Sequence, residues 1–115
     1  MTNVKYHIGK QVIVEISGHA GAKRQNGIDV CCAAESMLAF TLAKTLNGMK
    51  LPRLNTVIHD GYMRISFGLL SVKTVVALAT VYTVLNGFTL LHQKYPQNVC
   101  IKKVKEAQIN EQIYN

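Results

Sequence analysis

The dipeptide Asp60-Gly61 stands between two short segments, Leu54 to His59 and Tyr62 to Phe67, rich in β-branched, aromatic and apolar residues. In that setting Asp-Gly supplies the left-handed dihedrals of a two-residue turn whose twist matches its flanking strands, so a β-hairpin is expected here. The same reading applies near the start of the chain. Val4, Tyr6 and Ile8 alternate with Lys5 and His7, and Val12, Val14 and Ile16 alternate with Ile13, Glu15 and Ser17. Gly9-Lys10 between them suits a tight turn with glycine first, giving another hairpin.

Between the hairpins, Gly18 to Gly27 has the composition of a loop, with three glycines and the charged pair Lys23-Arg24. From about Asp29 to Asn47 strong helix formers dominate, and Ala34, Leu38, Leu42 and Leu46 recur at helical spacing before Gly48. Pro52 blocks any continuation. A second helix is expected from about Ser71 to His92, then a strand from Asn98 to Val104 and a polar tail from Lys105 to Asn115. The order ββαββαβ predicts an α+β fold, a single layered domain with a mixed or antiparallel sheet of about five strands and two helices. The 115 residues fit one domain.

With 49% hydrophobic and 17% charged residues, the chain has apolar material for a core and lacks the profile of a disordered protein. Thirteen Lys and Arg against six Asp and Glu leave a net charge of +7, which favours anionic surfaces such as RNA. The cations are scattered, apart from Lys102, Lys103 and Lys105 and the Lys23-Arg24 pair, and no aromatic run interleaves them. Sequence-specific nucleic-acid readout is unsupported, whereas a non-catalytic ribosome- or RNA-associated module stays open as an alternative.

Cys31, Cys32 and Cys100 are an odd set with an adjacent pair, unlike a secreted disulfide framework, and Met1 to Lys10 lacks a signal-peptide apolar core. Cytoplasmic residence is expected. Gly68 to Leu91 is long enough to span a bilayer, but Ser71, Lys73, Thr74, Thr80, Thr83, Asn86 and Thr89 interrupt it, so it reads as a buried helix and no membrane is implied. Val75, Val76, Leu78, Val81, Leu85 and Leu90 lie all round that helix, more than one sheet face can cover. A homodimer would cover the remainder.

The stretch that can carry chemistry is Ser17-Gly18-His19-Ala20, then Gly27-Ile28-Asp29-Val30-Cys31-Cys32-Ala33-Ala34. Asp29 is a good N-cap, which puts the Cys32 thiol in the first turn of a helix, among unpaired backbone N–H groups. The helix dipole contributes only about 0.3 to 1 kcal/mol, too little to activate a thiol whose free pKa is ~8.5. A protonated His19 within ~4 to 6 Å would lower it by ~1 to 3 further units, so a nucleophile requires the two side chains to meet. Asp29 would repel a thiolate, yet could orient His19 and stabilise its cationic form. First-turn amides around Cys32 could form an oxyanion site. A small cysteine packed in an apolar helix is the commoner finding for these residue types, and Cys31 reads that way. A Cys31–Cys32 disulfide would be strained, because neighbouring Cα atoms lie ~3.8 Å apart.

No spaced Cys-x-x-Cys pair supports a metal site from His19, Cys31, Cys32 and Cys100, and no cofactor motif is present, although Lys23 and Arg24 could hold an anion. His7, His59 and His92 read as surface histidines, and Tyr62, Tyr82 and Phe88 as core.

Gly18-His19-Ala20 followed by Gly27-x-Asp29-Val30-x-Cys32-Ala33-Ala34 and Ser36 resembles the ribosomal-processing cysteine protease family. The resemblance implies His19 and Cys32 as the catalytic pair, with Asp29 at the family's aspartate. It also implies a homodimer and a polypeptide substrate: removal of an N-terminal extension from a large-subunit ribosomal protein precursor, or from a related phage structural precursor. The chain departs from the pattern at Cys31, where the family usually has valine, at Glu35, usually small or apolar, and in its longer tail. A further expectation is that the loop from Gly18 to Gly27 closes over bound substrate.

Overall fold

The computed structural model describes residues 1–19 and 29–113. The elements run β1 (Thr2–Ile8), β2 (Gln11–Gly18), α1 (Val30–Gly48), β3 (Asn55–His59), β4 (Tyr62–Gly68), α2 (Val72–Lys94), β5 (Val99–Lys103) and α3 (Glu106–Ile113). The five strands form one sheet in the order β3-β4-β2-β1-β5. β5 pairs with β1 in parallel and the other pairs are antiparallel, so the sheet is mixed. The chain adopts the expected α+β layering and the order ββαββαβ through β5, and α3 follows.

Strand alternation decides what each sheet face carries. Val4, Val12, Val14, Ile16, Met63, Ile65, Phe67 and Val99 join Leu42, Leu46, Ala77, Val81, Leu85 and Phe88 of the two long helices in one hydrophobic core. Fully burying a side chain such as Phe67 or Phe88 stabilises the fold by about 1.5–3 kcal/mol.

The first connection departs from the expected two-residue turn. Ile8 pairs with Val12, so three residues, Gly9 to Gln11, reverse the chain, and Gly9 does not take a left-handed φ. Gln11 also pairs with Gly68 on β4, which draws it into the sheet. At the end of α1, the helix runs through Gly48 and the left-handed residue is Lys50, φ 53°.

The tail read as polar carries α3, which lies against β1 and β2 on the sheet face away from α1 and α2. Ile109 is its anchor and is fully buried, as is Ile13 on that sheet face. His7 is only half-buried: Nδ1 lies 3.1 Å from the Val104 carbonyl and Nε2 lies 4.0 Å from Glu106 Oε2. His92 is likewise half-buried, with Nδ1 2.6 Å from the Val99 carbonyl. These corrections to the surface reading of His7 and His92 share a cause, because backbone carbonyls at both ends of β5 come within reach of the rings.

α2 is half-buried rather than buried. Thr74, Ala77, Val81, Val84, Leu85 and Phe88 face inward, while Val72 (82% exposed), Val75, Val76 and Leu90 face outward. Tyr82, expected in the core, is 43% exposed on that outer side. The helix is long and apolar enough to cross a membrane, yet one of its sides belongs to the sheet core.

Candidate active site

β2 delivers His19. The strand ends at Gly18, whose φ of +92° and close approach to the Met1 carbonyl exclude a side chain. Its N–H donates to the Gly61 carbonyl at 2.9 Å, which ties the exit of β2 to the β3–β4 turn. Gly61 has φ +70° as the turn requires, and a Cβ there would lie 3.0 Å from His19 Nε2. The Asp-Gly signal thus serves two ends, the hairpin dihedrals and room for the imidazole.

α1 delivers Cys32. Asp29 caps the helix in an extended conformation, its Oδ1 accepting the Cys32 N–H at 2.8 Å and its carbonyl accepting the Ala33 N–H at 3.1 Å. Both amides are thereby committed, which narrows the expected oxyanion site: neither is free while the cap is in place. No hydrogen bond joins Asp29 to His19 among the described residues.

His19 and Cys32 line one open cavity of about 570 Å³. From α1 the wall is a helical stripe, Cys32, Glu35, Ser36, Ala39 and Phe40, spaced as i, i+3, i+4, i+7 and i+8. Thr2, Ile16 and Gly18 line it from β1 and β2, and Ile58, His59, Asp60, Gly61, Tyr62 and Met63 from the hairpin. Most of this wall is hydrocarbon, suited to the apolar side chains of a polypeptide.

Cys31 points elsewhere. It is fully buried in the core, and burial, reinforced by Glu35 and Asp29, pushes its thiol from 9.0 up to about 11. The packing reading of Cys31 agrees with that position.

Several wall residues escape sequence reasoning. His59 is exposed but stacks on Tyr62, with ring centroids 4.9 Å apart at the cavity edge. Tyr62, expected in the core, is half-buried and donates its hydroxyl to Glu15 Oε2 at 3.1 Å; burial first, then Glu15, pushes its pKa up to about 12. Glu35 is 6% exposed; its Oε2 accepts the Thr2 hydroxyl at 3.1 Å, and burial raises its pKa. Its spacing of three from Cys32 was the available signal, since such residues share a helix face. Phe88 is in the core as expected. The loop expected to close over substrate, including Lys23 and Arg24, lies outside the described residues beyond Gly18 and His19.

A family model described as cysteine protease Prp matches residues 1–100. The chain belongs to that family. It is therefore a cysteine protease, and α3 begins beyond the matched region. No curated protein matches the sequence. Among solved structures, the Staphylococcus aureus ribosomal processing protease Prp with a covalently linked product peptide superposes with TM-score 0.76 at 21% identity, over 90% of this chain and 100% of that one. The same protease with a substrate peptide gives TM-score 0.72 at 19% identity, over 90% and 100%. At these identities the likeness is one of fold. The Streptococcus mutans protein SMU.848 superposes with TM-score 0.69 at 28% identity, over 90% of this chain and 94% of that one.

Proposed function

We propose that this protease is a cytoplasmic endopeptidase that removes an N-terminal extension from a large-subunit ribosomal protein precursor, with Cys32 as nucleophile and His19 as general base and acid. The observation that carries the reading is that His19, just past the end of β2, and Cys32, in the first turn of α1, line the same peptide-sized cavity. Ribosomal processing is supported by family membership and by what the S. aureus protein of the same fold acts on.

In this scheme Cys32 Sγ attacks the scissile carbonyl carbon while its proton passes to His19. The tetrahedral intermediate collapses as His19 returns that proton to the leaving amine, leaving a thioester on Cys32. Water, deprotonated by His19, then releases the acid and restores the thiol. Asp29 holds the first turn of α1, and hence the Cys32 backbone, in place; orienting His19 is its second proposed role.

The outer sides of α1 and α2 expose Met37, Val72, Val75, Val76 and Leu90, which supports a homodimer in solution. Light scattering should give about twice the 12.7 kDa chain mass, and a monomer at micromolar concentration would refute it. The +7 charge supports association with the ribosome during processing.

The direct test is incubation with the candidate precursor followed by intact-mass analysis. Loss of one N-terminal segment with the wild type, and none with Cys32→Ala, is the expected result. An unchanged precursor mass would reject this substrate.

A further inference from the structure

Glu35 is the one buried acid on the stripe of α1 that carries Cys32. It sits one helical turn from the thiol, its residue lines the cavity, and Oε1 has no hydrogen-bond partner among the described residues and is closed off from solvent. Only Oε2 is used, by the Thr2 hydroxyl at 3.1 Å. A buried polar atom left unpaired is costly, so a carboxyl oxygen held this way beside a peptide cavity marks a contact made only when the cavity is filled.

We propose that Glu35 is a specificity-determining residue of this protease, reading one substrate side chain that ends in an uncharged polar group, a carboxamide or a hydroxyl. The inference rests on the cavity being the peptide site, as proposed above. Ile16, Ala39, Phe40, Ile58 and Met63 supply the apolar part of the same cavity wall, which suits a side chain with an apolar body and a polar end. The last torsion of a glutamate is broad, so a polar group in the cavity can draw Oε1 toward it, at the cost of loosening the Oε2 bond to Thr2. Carboxamides and hydroxyls both donate and accept, so they satisfy Oε1 whether or not it carries a proton. Burial raises the pKa of Glu35, and bringing a cationic side chain out of water to a buried carboxyl among apolar neighbours costs more than bringing a carboxamide or hydroxyl. Discrimination arises because the correct side chain satisfies an atom that an apolar isostere leaves unpaired.

The test is cleavage of a random-sequence synthetic peptide library by the full chain, with products sequenced by mass spectrometry. Wild type should favour Asn, Gln, Ser or Thr over apolar residues of similar size at one subsite, by about tenfold. Glu35→Met should erase that preference while still cleaving, and Glu35→Gln, nearly the same shape, should keep it. Circular dichroism establishes that each variant is folded; should Glu35→Met unfold, Glu35→Gln decides alone, and loss of the preference there overturns the proposal. An unchanged profile in Glu35→Met overturns it, as does an equal rate loss on all peptides, which would assign Glu35 to positioning the helix. A Glu35-dependent preference for Lys or Arg overturns the choice of an uncharged partner. If wild type cleaves nothing that Cys32→Ala leaves intact, the underlying reading of the site fails first.

Discussion

Cys31 and Cys32 are consecutive on α1, yet one helical step of about 100° sends one thiol into the core and the other to the cavity. Cys31 has no exposure, and its thiol is pushed up to about 11, so at neutral pH it is a small hydrophobe. Cys32 is half-buried and shares its cavity with an imidazole. Residue type is the same in both, and placement alone separates packing from chemistry. Among the described residues, two buried acids repeat the contrast. Glu15, on the sheet, receives the Tyr62 hydroxyl and has further contacts, whereas Glu35, on the cavity stripe, keeps one oxygen without a partner among the described residues.

The sharpest way to break the thiol comparison is to remove each sulfur separately. Cys32→Ala should reduce precursor cleavage by at least about 10³-fold with the fold intact, because no other group supplies the nucleophile. His19→Ala should follow, with a loss of about 10²–10⁴-fold in kcat/KM, the range of a missing general base. Asp29→Ala removes the cap on the Cys32 amide; about 1 kcal/mol of stability should go, seen as a lowered Tm, with activity falling as the first turn frays. Cys31→Val should leave activity within about twofold, since the swap keeps a small apolar side chain in the core.

The same thiol comparison also appears in pH dependence. Cys31 has a folded pKa of about 11 against an unfolded value of 9.0, so its thiol favours the fold fully below pH 9.0. That contribution is lost as pH rises from 9.0 to about 11. Chemical denaturation across this window should show a shallower loss of stability in Cys31→Val than in wild type.

Much of this arrangement was legible because local chemistry dictates it. Asp60-Gly61 fixed one hairpin, the alternation from Val4 to Ser17 another, and Asp29 the start of α1. Strand partners were not legible: period-2 alternation gives a face but not a neighbour, so the parallel β1–β5 pairing appears only in the structure. α3 escaped because, among the described residues, its buried apolar side chain is Ile109 alone, set in a polar stretch of sequence. The motif from Ser17 to Ser36 named His19, Cys32 and Asp29, whereas the hairpin wall comes from residues some forty positions away, brought in by the Gly18–Gly61 hydrogen bond. That distance is why His59 and Tyr62 read as ordinary surface and core residues.

The central claim, that placement makes Cys32 the nucleophile and leaves Cys31 inert, is tested most directly by limited iodoacetamide labelling near neutral pH, with peptide mapping and residual activity measured on the same samples. Label should accumulate on Cys32 in step with loss of cleavage, while Cys31 stays unmodified until the protein unfolds, and His19→Ala should slow the Cys32 reaction. Faster labelling of Cys31, or complete labelling of Cys32 with activity retained, would contradict the account.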